Sequence, residues 1–184
     1  ARARRQSHRA ACFSNLHQVY LSLQHFAMEN DDAVPLGYRG GRKQWNTMIY
    51  SGTTQKYVLF GRLFLAELMV APRAFYCPAE RAPGQSFNTP DNPWPPGQGT
   101  VSVQGGYGAS PSVDWAQDEV PAKMPRWTDF SGRALLSDTI SLPERVDSRH
   151  RDGVNVSMGD GSALWIPRSV FQTPLETCVG LSPS

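Results

Sequence analysis

Apolar residues Cys12, Leu16, Val19, Tyr20, Leu23, Phe26 and Ala27 recur in steps of three and four, the spacing of one face of an α-helix. No Gly or Pro interrupts residues 3–29. The period therefore predicts one long amphipathic helix, stopped by Asn30-Asp31-Asp32 and Pro35. The stripe opens around Ala11 and Cys12. Ahead of it lie Arg2, Arg4, Arg5 and Arg9, a basic stretch expected to be solvated on all sides. Only the second half of the helix is expected to pack on the rest of the chain.

Beyond the helix the patterning shortens. Residues 36–56 are Gly-rich and polar, with Trp45 as the expected buried anchor. Residues 57–71 predict a short helix over 61–70, ended by Pro72. Phe75-Tyr76-Cys77-Pro78 reads as a short extended run. Residues 79–100 hold Pro83, Pro90, Pro93, Pro95 and Pro96, which predicts a surface loop. Residues 101–106 read as a strand and 108–132 as loop. The run Arg133-Ala134-Leu135-Leu136-Ser137-Asp138 predicts a buried strand. Residues 154–158 and 163–166 predict a β-hairpin across Gly159-Asp160-Gly161-Ser162, because Gly and Asp tolerate the positive φ of such turns. The tail after Pro167 carries few signals, and there is no internal repeat. These elements predict an α+β fold, with a long N-terminal helix packed on a small antiparallel sheet with long loops. Residues 1–30 form the helix and 31–184 a globular head.

Composition narrows the function classes. A chain of 184 residues, 40% hydrophobic, suits one domain with a sizeable core. Its 16 Gly and 15 Pro are too few for low-complexity disorder but enough for many turns. A net charge of +2 gives no strong polyanion signal. The N-terminal arginines have no aromatic among them to stack on bases, so no nucleic-acid partner is expected. No run approaches the roughly 18 apolar residues of a membrane span, and no signal-peptide pattern is present. The chain starts without Met inside a helical pattern, and we expect it to be the soluble part of a longer product. Cys12, Cys77 and Cys178 are widely spaced with no C-x-x-C pair, which argues against a zinc framework. One disulfide with a free thiol and three buried thiols both fit.

The richest chemistry lies in residues 149–162, where His150, Asp152 and Asp160 are competent cation ligands. Turn conformation alone explains Asp160-Gly161. The expected role of His150, Asp160 and Gly161 is therefore structural, with His150 and Asp160 bonding backbone at the two ends of the hairpin. Ser148 and Ser157 sit in no nucleophile elbow, and no catalytic constellation is visible. No enzymatic activity, resident metal or cofactor is expected. Trp94, within Asn92-Pro93-Trp94-Pro95-Pro96, and Trp115 mark a candidate interaction surface for a saccharide or a secreted substrate. The alternative for these rings is packing of loops onto the head.

Three segments carry a family resemblance. Arg9-Ala10-Ala11-Cys12-Phe13-Ser14-Asn15-Leu16-His17-Gln18 is similar to an "R-x-x-C-x-x-N-L-K-Q" motif, continuing to Asn30-Asp31-Asp32-Ala33-Val34-Pro35, similar to "N-x-G-x-x-P". Phe75-Tyr76-Cys77-Pro78 is similar to "F-x-C-P". His150 through Asp160-Gly161 matches an "H-x9-D-G" signature near the C-terminus. Together they resemble the bacterial type IV pilin-like proteins, in particular the type II secretion pseudopilin-like group abundant in planctomycetes. His17 stands where that group usually has Lys, and Asp32 where it usually has Gly.

The resemblance implies a prepilin, cleaved by a prepilin peptidase and usually methylated, with an apolar helix upstream of Ala1 held in the inner membrane. It implies a periplasmic or cell-surface head. It also implies assembly with other pilin-like subunits into a short filament, driven through an inner-membrane platform. Residues 2–9 would then lie just past the membrane, near anionic head groups or a neighbour's acidic residues. Cys12 and Cys77 both fall in the resembling segments and form a candidate disulfide. Some major pseudopilins hold calcium in C-terminal loops, which makes calcium the cation to consider at His150, Asp152 and Asp160.

Overall fold

A computed structural model describes residues 2–40, 43–97, 99–113, 123–140 and 143–177. Helix α1 spans Arg2–Glu29 and buries the predicted stripe: Cys12, Leu16, Val19 and Leu23 are fully buried, and Tyr20, Phe26 and Ala27 nearly so. Each such aliphatic side chain contributes about 1.5–3 kcal/mol by leaving water. The helix ends by left-handed reversal at Asp31, φ 53°, with the Asp32 N–H donating to the Ala27 carbonyl at 2.9 Å. That bond satisfies a carbonyl that the last helical turn leaves open.

The main sheet is antiparallel, with four strands in chain order: β6 (Tyr107–Ala109), β7 (Ala134–Asp138), β8 (Gly153–Met158) and β9 (Ala163–Pro167). A smaller sheet sets β3 (Met48–Ser51) between β4 (Lys56–Tyr57) and β5 (Val103–Gln104), and β1 (Tyr38–Gly40) pairs with β2 (Lys43–Trp45). The core runs from the α1 stripe through Ile49, Phe60, Phe75, Tyr107, Leu135 and Leu136. A second cluster of Val146, Val154, Val156 and Leu175 draws on α3 (Pro143–Arg149) and α4 (Arg168–Thr177). Side chains alternate across a strand. Val154 and Val156 therefore serve the second cluster, and Asn155 and Ser157 take the opposite face of β8. The α+β architecture is as expected, and the hairpin forms with Asn155 opposite Trp165.

Several local expectations give way. Helix α2 is Phe60–Leu65, shorter than 61–70, because Glu67 turns left-handed, φ 57°. Its N–H and that of Leu68 then bond back to Phe64 and Leu63 at 3.1 and 3.0 Å, the two bonds of a Schellman stop. Trp45 is only half-buried, and Met48, Ile49 and Tyr50 anchor that region instead. Phe75 closes a 3-10 turn, Pro72–Phe75, so extended backbone begins only at Tyr76.

The Pro-rich segment is less a free loop than expected. Asn92 is fully buried. Its side chain accepts from the Gln104 N–H at 2.8 Å and donates to the Gln104 carbonyl at 2.9 Å, so one side chain pairs with β5 as a strand would. Helix α4 lies in the tail that had few signals. Among the described residues, no helix is long and apolar enough to cross a membrane.

Candidate functional site

The three resembling segments converge on one face of α1. Arg9, Cys12 and Asn15 are three residues apart and so share that face. The Arg9 guanidinium lies 3.9 Å from the ring centre of Trp165 on β9. Cys12 faces Cys77, and Asn15 donates to the Tyr76 carbonyl at 2.9 Å. The N-terminal basic stretch is therefore not solvated throughout. Arg4 and Arg5 are exposed, whereas Arg9 has an aromatic partner that only the fold brings near.

The Sγ atoms of Cys12 and Cys77, a carboxylate oxygen of Asp138 and a ring nitrogen of His150 all lie within 4.8 Å of one another, and all four residues are buried. Four separate pieces of chain supply them: the α1 stripe, the residues after the Pro72–Phe75 turn, the last residue of β7, and the residue after α3. His150 Nε2 is 3.4 Å from Cys77 Sγ and 3.6 Å from Asp138 Oδ2. Asp138 Oδ2 also accepts from the Asn155 N–H at 2.7 Å, whereas Asp138 Oδ1 is buried without a hydrogen-bond partner. The fully buried Tyr107 packs its hydroxyl against Cys12 and donates to the Tyr76 carbonyl at 3.3 Å. Trp165 covers the His150 ring edge-on at 6.0 Å between centres.

The electrostatics follow from packing two thiols, a carboxyl and an imidazole together. Cys77 is held well below the usual thiol range by its hydrogen bond from Cys12 and then by its contact with His150. Cys12, the donor in that pair and buried, is pushed far up. Burial raises the Asp138 carboxyl to about 6, and the charge of Cys77 adds to it. His150, the Asn155 N–H and Arg149 pull the other way. Burial also disfavours a charged His150, yet the Cys77 contact and the Asp138 charge outweigh it and raise the imidazole. The four groups are thus electrostatically coupled, each setting the charge that its neighbours favour. Two sulfurs, one nitrogen and one oxygen are also a donor set that a divalent transition metal accepts.

The expected role of His150 changes. Its ring contacts Cys77 and Asp138, not backbone at a hairpin end. Asp160 is exposed and closes its own turn, with Oδ1 accepting from the Ser162 N–H at 2.9 Å and the Ser162 hydroxyl at 2.7 Å. The length of β8 separates it from His150, so His150, Asp152 and Asp160 do not form one ligand set. Asp152 is exposed beside His150, on a cleft of about 210 Å³ that Arg5, Gln6, Arg9 and Trp165 also line. Calcium is a poor match for the converging donors, since it takes six to eight oxygens.

Cys12 and Cys77 do sit together, as free thiols and not a disulfide. Trp94 is half-buried, edge-on to Phe64 at 5.1 Å and tilted on Phe87 at 5.7 Å, so its ring serves loop packing. Trp115 and Cys178 lie outside the described residues. The sequence alone does not mark Asp138 and Asn15 as site residues. The signal for Asp138 was a charged residue closing an apolar strand, a position that burial makes costly without a partner.

Gly161 holds the far end of the same motif. Its φ is +86°, and a Cβ added there would lie 3.2 Å from the Tyr20 hydroxyl oxygen. That hydroxyl donates to the Gly159 carbonyl at 3.3 Å. The motif therefore touches α1 at both ends, at Cys12 through the His150 cluster and at Tyr20 through the turn. No protein-family model matches the chain, and neither a curated protein nor a solved structure matches it.

Proposed function

We propose that the chain is the periplasmic part of a pilin-like structural subunit of a type II secretion or type IV pilus-like filament, and not an enzyme. The observation that carries this reading is the convergence of the three resembling segments on α1. Arg9, Cys12 and Asn15 present the helix side. Phe75 through Pro78 and His150 through Gly161 present the head side. In a subunit pulled and packed through its N-terminal helix, the helix-to-head joint carries the load. Here that joint has a continuous apolar stripe, a polar cluster at Cys12 and a turn against Tyr20.

The outward face of α1 keeps Leu21 and Met28 exposed at 40% and 77%. They lie two helical turns apart on one side. In a filament this face would meet other pilin-like subunits. The reading places the head in the periplasm, held to the inner membrane by an upstream helix that a prepilin peptidase processes.

The test uses the full gene product in its host, with a photo-crosslinking residue at Leu21 or Met28. The expected outcome is prepilin-peptidase-dependent processing and crosslinks to a second pilin-like subunit. Cleavage by conventional signal peptidase, with no subunit–subunit crosslink from either position, would overturn the reading.

A further inference from the structure

We propose that Cys12, Cys77, Asp138 and His150 form a closed, four-coordinate zinc site that fastens helix α1 to the head. The argument starts from geometry. The four donor atoms already lie within 4.8 Å of one another, with Cys77–His150 and His150–Asp138 at 3.4 and 3.6 Å. Zn–S bonds of about 2.3 Å and Zn–N bonds of about 2.0 Å place tetrahedral ligand atoms roughly 3.3–3.8 Å apart. Closing the set on an ion therefore needs the donor atoms to move by only about 1 Å.

A second observation points to the same ligand. Asp138 is 1% exposed, and its Oδ1 has no hydrogen-bond partner. A buried, unpartnered carboxylate oxygen is costly, and a cation removes the cost. A Cys12–Cys77 disulfide would not: it would leave the Asp138 oxygen unpaired and His150 Nε2 facing a sulfur of little acceptor strength.

The donor types select the metal. Two thiolates exclude calcium and magnesium, which take oxygen. Two thiolates, an imidazole and a carboxylate suit zinc, and with all four positions filled by protein and buried, the site is structural. As Zn²⁺ enters, both sulfurs coordinate as thiolates, their protons leaving to solvent, and His150 binds as neutral imidazole. The filled centre carries an excess negative charge. Buried Arg149, whose charge already stabilises ionised Asp138, offsets part of it, and the Asn155 N–H holds Asp138 Oδ2. Partners of this kind orient metal ligands and tune affinity. His150 also lines the cleft formed with Arg5, Gln6, Arg9, Asp152 and Trp165, which gives the ion a route in.

The test is metal analysis of the chain purified without chelator from zinc-supplemented cells, with thiol state read by peptide mass mapping. One zinc per chain is expected, with both cysteines reduced and neither alkylated until the protein is denatured. Zinc content should fall at least about tenfold in Cys77→Ser and His150→Ala. It should stay complete in Ser148→Ala, whose exposed hydroxyl only bonds back to the Arg145 carbonyl.

A ligand variant that does not fold reports nothing on the metal, so the wild-type chain is also reconstituted with Co²⁺. Intense tetrahedral visible bands with a thiolate-to-cobalt charge-transfer band are expected. A folded, metal-free chain with a Cys12–Cys77 disulfide-linked peptide would overturn the proposal. So would a reduced chain that shows no cobalt–thiolate band, or zinc content unchanged in both ligand variants.

Discussion

Gly161 lies directly against the phenol of Tyr20: a single added carbon would stand 3.2 Å from the Tyr20 oxygen, on backbone already at φ +86°. The turn that closes β8 and β9 is thus fitted to one residue of α1, 141 positions earlier in the chain. Gly161→Ala should cost about 1–2 kcal/mol from the left-handed backbone alone, with crowding of Tyr20 in addition. Gly108→Ala is the control, because a Cβ there meets nothing within 4 Å. Urea denaturation of both variants checks this, and equal midpoints would defeat it. Tyr20→Phe should lose a further, smaller amount, about 0.5–1.5 kcal/mol, for its bond to Gly159.

The two faces of α1 should respond differently to truncation. Leu16 is fully buried and Met28 is 77% exposed. Leu16→Ala should cost about 2–5 kcal/mol, and Met28→Ala should stay within about 0.5 kcal/mol. Thermal unfolding of the two variants separates a docked helix from one that merely lies near the sheet. In the second case both changes would be mild.

Arg149 and Glu80 form an ion pair whose side chains are 1% and 2% exposed. Arg149 also donates to Gln85 Oε1 at 2.7 Å and to the Gly106 carbonyl at 3.0 Å. Removing one charge should be costly because the other stays buried: Glu80→Ala is expected to lose about 3–5 kcal/mol. Replacing both partners by apolar residues of similar size should cost less than the single change. The comparison needs four denaturation curves, for the wild type, the two single variants and the double, and a double replacement as damaging as the sum of the singles would refute the account.

Asp160 offers a pH test away from the buried cluster. The Ser162 hydroxyl, and then the Ser162 N–H, hold its carboxyl below the ordinary carboxylate range. A depressed carboxyl stabilises the fold above its unfolded pKa and loses that contribution as pH falls through the folded value. The turn should therefore loosen only at acid pH, below the ordinary carboxyl value of about 3.9. Titration of the Ser162 amide by NMR reads this directly. The acid transition of that amide should vanish in Asp160→Asn, and a midpoint at the ordinary value would contradict the assignment.

The long helix and the hairpin were legible because each is periodic over its own length. Cys12, Leu16, Val19, Tyr20 and Leu23 mark a helix face, and Gly159 through Ser162 mark a turn. The cluster was only half legible. Cys12, Cys77 and His150 each stood out, but Cys77 and His150 are 73 residues apart and no local spacing joins them. In the sequence Asp138 is simply the end of a strand, and its contact with His150 exists only once β7 lies beside β8. Helix α4 is hard to read because it carries Pro174, and among its described residues Leu175 alone is buried, with Phe171 partly buried beside the same cluster. The early end of α2 is hidden in the sequence because Glu67 adopts a backbone that favours Gly. For the cluster, long-range contacts supply what no local spacing carries; for α2, a local backbone reversal cuts the periodic signal short.

The nine residues between His150 and Asp160 behave as a ruler. One end is fixed by the cluster at Cys12, and the other by Gly159, where any Cβ would collide with the Phe130 carbonyl, and by Gly161 under Tyr20. Between them, β8 alternates faces residue by residue. One residue added or removed within it would exchange Asn155 and Ser157 with the valines of the opposite layer. The spacing is therefore quantised: the strand can change its side chains, but not its count, without detaching the head from one of its two holds on the helix.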